Sequence, residues 1–129
     1  PVCCLYATAP FVQPADLQGA VARVAEGFVF SVTRFAYPIQ RALRQRPDGS
    51  LEMIQPQHML TRSQDLEEGW HDAGQFYAAS AARWCSEVPI LEGRPLGIEL
   101  PRARVQDIDT EEDWQLAELL FRAQGFAGA

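Results

Sequence analysis

Apolar residues in this chain come in short bursts, and the spacing inside each burst predicts an element. Residues 2–7 are a continuous apolar run between Pro1 and Pro10, which reads as a fully buried strand. After Pro14, the residues Leu17, Ala20, Val21 and Val24 recur at helical spacing, and Gly27 supplies a stop. Residues 28–33 (Phe-Val-Phe-Ser-Val-Thr) read as a second strand, so the three elements predict a βαβ unit with a right-handed crossover. Residues 39–46 and 51–54 flank Pro47-Asp48-Gly49-Ser50, whose Asp-Gly pair predicts an antiparallel hairpin. The polar stretch 55–72 reads as a long loop of the kind that carries function.

Farther on, the pattern predicts a strand at 74–78, a short helix at 80–86, a brief strand at 95–100 and another extended piece at 103–108. Residues 110–124 predict a helix. Thr110 and Asp113 are spaced as a capping box, Glu111 and Glu112 suit the positive end of the helix dipole, and Gly125 ends it. Trp114, Ala117, Leu120 and Phe121 are its expected buried stripe. The fold class that follows is α/β, a mostly parallel sheet with an antiparallel hairpin insertion.

Composition narrows the function classes. At 129 residues the chain fits one domain, and 47% hydrophobic with 22% charged residues is the balance of a folded globular protein. No apolar run approaches the roughly 20 residues that span a bilayer. The formal charge is −6 and all eleven basic residues are Arg, scattered singly or in pairs, which argues against a nucleic-acid backbone as partner. Cys3, Cys4 and Cys85 are odd in number and carry no metal-ligand spacing, so they read as buried thiols in a reducing cytosol. The chain opens directly on strand-like sequence without an initiator Met, as if in mid-domain.

The segment Arg104-Val105-Gln106-Asp107-Ile108-Asp109-Thr110 carries the best chemical signal. If it is extended, Asp107 and Asp109 point to one face, about 6.6 Å apart, and Ile108 points into the core. Two carboxylates at the carboxyl end of a strand sit where open α/β sheets bind ligands, and they suit Mg²⁺ (or Mn²⁺) with substrate phosphates. On spacing alone the alternative is the stronger reading, with Asp109 a helix cap and Asp107 solvated. In the long loop, Arg62 is a candidate for pairing with a carboxylate or phosphate, and His71 for acid–base work, with His58 a weaker candidate. Thr8 ends the first strand at the expected ligand edge. The phosphate-cradling glycine loops and the common hydrolase motifs do not occur.

Five blocks, in order, resemble the CMP-sugar synthetases, the acylneuraminate cytidylyltransferase family, and most nearly the branch that activates pseudaminic acid. They are Tyr6-Ala7-Thr8-Ala9-Pro10-Phe11, Arg34-Phe35-Ala36-Tyr37-Pro38-Ile39-Gln40-Arg41-Ala42-Leu43, Arg62-Ser63-Gln64-Asp65-Leu66, His71-Asp72-Ala73-Gly74-Gln75-Phe76-Tyr77 and Gln106-Asp107-Ile108-Asp109-Thr110-Glu111-Glu112-Asp113-Trp114. The resemblance implies a three-layer, Rossmann-like nucleotide-diphospho-sugar-transferase fold. It also implies transfer of CMP from CTP to a nine-carbon 2-keto sugar acid (a nonulosonic acid), with release of pyrophosphate. It assigns Mg²⁺ or Mn²⁺ to Asp107 and Asp109, and substrate contacts to Tyr6, Thr8, Arg62, Gln64, Gln75 and Phe76, with Asp107, Asp109 and Arg62 carrying the chemistry. The hairpin insertion, about residues 37–68, is implied to be the arm of a homodimer. Sialic acid synthetases carry Gln where Tyr6 stands and Asn-Gly where Ala73-Gly74 stands, which favours pseudaminic acid as substrate. The family's N-terminal glycine loop, which grips the CTP phosphates, has no counterpart here. The expectation is therefore the C-terminal part of one cytidylyltransferase domain, inactive by itself. The competing expectation is a non-catalytic assembly module derived from the same fold.

Overall fold

A computed structural model of the chain describes residues 1–25 and 27–125. They form two compact units, one of Pro1–Thr33 with Asp72–Ala129 and one of Arg34–His71. The first holds a four-stranded mixed sheet in the order β1-β5-β2-β6. β1 (Val2–Leu5) pairs antiparallel with β5 (Trp70–Ala79), from Val2 opposite Ala79 to Leu5 opposite Phe76. β2 (Val29–Arg34) pairs parallel with β6 (Leu96–Glu99), from Val29 opposite Leu96 to Val32 opposite Glu99.

The alternation of side chains along β2 and β5 divides the core into two clusters. Val29, Phe76 and Ala78 pack with Ala20 and Leu17 of α1 (Pro14–Ala22) and with Leu100. Phe28, Phe30, Tyr77 and Ala79 pack with Trp84 of α2 (Ala81–Trp84). Helical residues thus contribute to both clusters, and β2 is buried along most of its length, as a central strand must be.

β5 is kinked where Gly74 takes φ +63°, a left-handed conformation that glycine adopts at little cost. Beside the kink, the amides of Gln75 and Phe76 donate to the buried Ser31 hydroxyl, at 3.1 and 3.3 Å. Ser31→Ala leaves two buried donors without a partner, at roughly 1–3 kcal/mol each before relaxation. A loss of about 2–4 kcal/mol in chemical denaturation is expected, against no loss if Ser31 only fills space.

Several expectations are corrected. The sheet is mixed rather than mostly parallel, and β1 and β2 are not neighbours, because the ten-residue β5 lies between them. β1 is not fully buried; Val2 and Leu5 are about half exposed, as befits a strand paired along one edge. α1 ends at Ala22, well before Gly27, and Val21 faces outward. β5 begins at Trp70, so the loop after residue 54 is shorter than 55–72 and contains turns at Pro56–His58 and Ser63–Asp65. Residues 103–108 form no strand: a 3₁₀ turn at Arg102–Arg104, set by Pro101, leads into irregular chain. Cys4 and Cys85 are exposed rather than buried, while burial and the neighbouring Cys4 push the Cys3 thiol up.

α3 (Glu111–Ala123) starts as expected, with the Thr110 hydroxyl and the Asp113 carboxylate capping each other's backbone. Of its predicted stripe only Ala117 is buried. Trp114 and Phe121 instead line an apolar groove of about 380 Å³ with Pro10, Phe11 and Ile108.

In the second unit, β3 (Leu43–Gln45) and β4 (Leu51–Met53) form the predicted hairpin, Leu43 opposite Met53. Gly49 sits at φ +85° in its turn, and the Arg46 amide closes the turn onto the Ser50 carbonyl. The first arm is shorter than expected, because Ile39–Arg41 is a 3₁₀ turn. Glu52 bonds Arg46 and Arg44 across the hairpin, and these two hold its carboxyl below the usual range.

Candidate functional site

The site is built around Gly74. Its amide donates to Asp72 Oδ1 at 2.8 Å, an Asx-type turn two residues long. A Cβ on residue 74 would lie 3.1 Å from Asp107 Oδ2, so the glycine leaves room for that carboxylate. Asp72 and Asp107 therefore flank the same residue. Asp72 Oδ2 also accepts from the Tyr77 hydroxyl at 2.5 Å. Tyr77 packs between Tyr6 (5.4 Å between ring centroids) and Phe30 (5.8 Å, stacked). Burial, Asp72 and the neighbouring Tyr6 together push the Tyr77 ionisation well above its ordinary value.

The end of β1 is fixed onto this turn, since the Tyr6 amide donates to the Gln75 carbonyl at 2.9 Å and Ala9 turns back onto the Tyr6 carbonyl. Thr8 is half-buried within that turn. Gln75 and Phe76 are fully buried. Phe76 belongs to the core, and Gln75 donates through Nε2 to the Arg104 carbonyl at 2.5 Å, holding the 102–107 segment against β5.

That segment is held from the other side as well. Arg104 makes a two-pronged pair with Asp16 at 2.6 and 3.1 Å, and both side chains are largely buried. Gln106 then bonds Asp113, and the Asp109 and Thr110 amides converge on the same carboxylate. These bonds hold the Asp113 carboxyl below its usual range, the Thr110 hydroxyl contributing most.

The Asp-x-Asp pair therefore lies in irregular chain rather than at a strand end. Among the described residues Asp107 Oδ1 is buried without a hydrogen-bond partner, whereas Asp109 is exposed. A buried carboxylate oxygen lacking a donor is costly unless a cation or a donor meets it. Among the described residues no group of three or more His, Cys, Asp or Glu converges on a metal position. A hard cation bound by two carboxylates, waters and phosphate oxygens is compatible with that.

The remaining predicted residues belong to the second unit. Arg62 forks onto Asp65 at 2.9 and 3.5 Å, and Gln64 is exposed beside it. His71 packs against Phe35 at 4.8 Å, and His58 is 3.5 Å from the Thr61 hydroxyl. Sequence reasoning had not weighed Asp72, Tyr77 or Asp16. An Asp two residues before a glycine was the readable signal for Asp72. The ring partners of Tyr77 and the ion-pair partner of Asp16 lie on other elements and left no local trace.

Gly74→Ala combines a left-handed backbone with a methyl group 3.1 Å from Asp107 Oδ2. It should cost about 1–2 kcal/mol in thermal unfolding and displace Asp107. An unchanged melting curve would show that the kink tolerates a side chain.

No family model matches the chain. Proteins from Campylobacter jejuni serotypes O:23/36 and O:2, both named pseudaminic acid cytidylyltransferase, are 39% identical to it over 124 residues. In sequence, the chain is thus similar to proteins named pseudaminic acid cytidylyltransferase. The alignment takes in 94% of the chain and 53% of those proteins, so the chain spans about half their length. A Helicobacter pylori protein is 29% identical over 110 residues, 82% of the chain and 21% of that protein. It is named pseudaminic acid cytidylyltransferase and UDP-2,4-diacetamido-2,4,6-trideoxy-beta-L-altropyranose hydrolase. No helix among the described residues is long and apolar enough to cross a membrane.

Proposed function

We propose that the protein transfers a cytidylyl group from CTP to a nine-carbon 2-keto sugar acid of the pseudaminic acid type, releasing pyrophosphate. The observation that carries this reading is the 39% identity, over nearly the whole chain, to proteins named for that reaction. The geometry compatible with it is the buried, partnerless Asp107 oxygen beside Gly74. Asp107 and Asp109 would hold Mg²⁺ or Mn²⁺. When bound, that ion supplies charge neutralisation for a triphosphate undergoing in-line displacement at its α-phosphorus.

The chain's own residues then bind and orient. Tyr6 and Thr8, at the end of β1, face the sugar acid and nucleotide. Arg62, forked onto Asp65, and Gln64 beside it are nominated for a carboxylate by the sequence resemblance alone. Gln75 and Phe76 act from within, as the rigid floor under the Gly74 turn. The fold proposed for the whole is the three-layer, Rossmann-like sugar nucleotidyltransferase type. The Arg34–His71 unit is proposed as a homodimer arm, which its exposed Tyr37, Leu43, Leu51 and Leu60 support. A cytoplasmic location fits a nucleotide triphosphate as substrate.

The test is calorimetric titration of Mn²⁺ into the protein with CTP present, repeated with Asp107→Asn plus Asp109→Asn. The expected result is binding that the double variant weakens at least about tenfold. Equal binding by both proteins would remove the carboxylates from the metal site.

A further inference from the structure

One side chain, Asp72, spans the kink in β5. Its Oδ1 accepts from the Gly74 amide at 2.8 Å, and its Oδ2 accepts from the Tyr77 hydroxyl at 2.5 Å. The first bond closes the kink at residue 74, and the second ties it to a residue three positions farther along the strand. Tyr77 is a firm anchor, buried and stacked on Phe30 with 5.8 Å between ring centroids. A ring packed in this way has few rotamers open to it, so the core fixes the far end of the Asp72 carboxylate.

Asp107 depends on such a fixed surface. Its Oδ1 meets no hydrogen-bond donor among the described residues, so no bond there sets where that oxygen points. What the carboxylate does have is the Gly74 backbone: a Cβ at residue 74 would lie 3.1 Å from Oδ2 and 3.5 Å from the carboxyl carbon. The place of the Asp107 carboxylate therefore follows the course of the chain at Gly74, which stands at φ +63°. Asp72 holds that course.

We propose that Asp72, anchored on Tyr77, is the positioning residue of the cation site, holding the Gly74 kink as the wall from which Asp107 presents its carboxylate. Asp72 acts through Gly74 rather than as a ligand, since both of its oxygens already accept within the kink. Ligating carboxylates rely on outer partners of this kind, whose loss typically weakens metal binding ~10–100-fold. The inference rests on the metal reading given above and names the residues that set the affinity of that site.

Three substitutions separate position from charge. Asp72→Ala removes both bonds. Asp72→Asn keeps two bonds without the charge, because its amide oxygen accepts from the Gly74 N–H and its NH₂ donates to the Tyr77 hydroxyl oxygen. Tyr77→Phe keeps the ring packed on Phe30 and removes only the anchor. Each protein is titrated calorimetrically with Mn²⁺ in the presence of CTP, with Mn²⁺ binding to CTP alone subtracted, and each is also melted thermally.

Asp72→Ala should bind Mn²⁺ at least about tenfold more weakly, Tyr77→Phe about threefold more weakly, and Asp72→Asn within about twofold of the unaltered protein. Should Asp72→Ala fail to fold, Tyr77→Phe carries the test. A lowered melting temperature with unchanged Mn²⁺ affinity would make the Asp72 bonds purely structural and overturn the assignment. A loss in Asp72→Asn as large as that in Asp72→Ala would also overturn it, being the mark of charge rather than position. No Mn²⁺ binding by the unaltered protein would overturn the metal reading and this assignment with it. Because the readout is binding, it decides the role of Asp72 whether or not cytidylyl transfer is observed.

Discussion

Asp107→Ala is expected to slow cytidylyl transfer at least about a thousandfold, roughly 4 kcal/mol of transition-state stabilisation, while leaving the fold as stable as before or slightly more so. The two halves of this result have one cause. Asp107 Oδ1 is buried with no hydrogen-bond partner among the described residues, so the carboxylate carries a desolvation cost. Alanine removes that cost. The packing lost is small, because the neighbour across from the carboxylate is a glycine without a side chain. A residue kept for the fold behaves oppositely, losing stability when truncated. Thermal unfolding and single-turnover transfer, measured on the same preparation, separate the two. A variant that unfolds several degrees lower while retaining activity would make Asp107 structural.

Asp16→Ala is expected to cost about 3 kcal/mol of stability. Its carboxylate meets Arg104 through two hydrogen bonds, and both side chains are mostly out of solvent. Removing one member leaves a guanidinium with five donors and little water. Asp16 also caps the start of α1 by accepting from the Gln13 amide at 3.2 Å. Asp16→Ala combined with Arg104→Ala should recover part of the loss, because the uncompensated charge goes with the second substitution. Denaturation with an unchanged m-value checks this, and strict additivity of the two substitutions would show that the ion pair is incidental. Arg104 opens the segment that carries Asp107 and Asp109, so Asp16→Ala should also weaken metal affinity from a distance.

The sequence was readable where local chemistry decides the outcome. Asp48-Gly49 fixed the hairpin turn, Thr110 and Asp113 fixed the start of α3, and the β-branched and aromatic run 28–33 became the central strand. It was misread where a distant partner decides. His71 and Asp72 read as polar loop, yet they open β5, whose kink depends on a Ser31 hydroxyl 44 residues away. Residues 103–108 read as a strand, yet their course is set by Asp16, 88 positions from Arg104, and by Gln75. The carboxylate pair was visible as a pair. Its asymmetry was not, because only packing buries one Asp107 oxygen and leaves Asp109 exposed. Trp114 and Phe121 followed helical spacing faithfully, but spacing does not say what covers a stripe.

The most direct measurement is mass analysis of the product formed when the full-length protein is mixed with CTP, Mg²⁺ and pseudaminic acid. The account predicts a CMP-linked sugar acid accumulating in equal amount with pyrophosphate, and neither in Asp107→Ala. Pyrophosphate without the linked sugar acid, or no consumption of CTP at all, would contradict it.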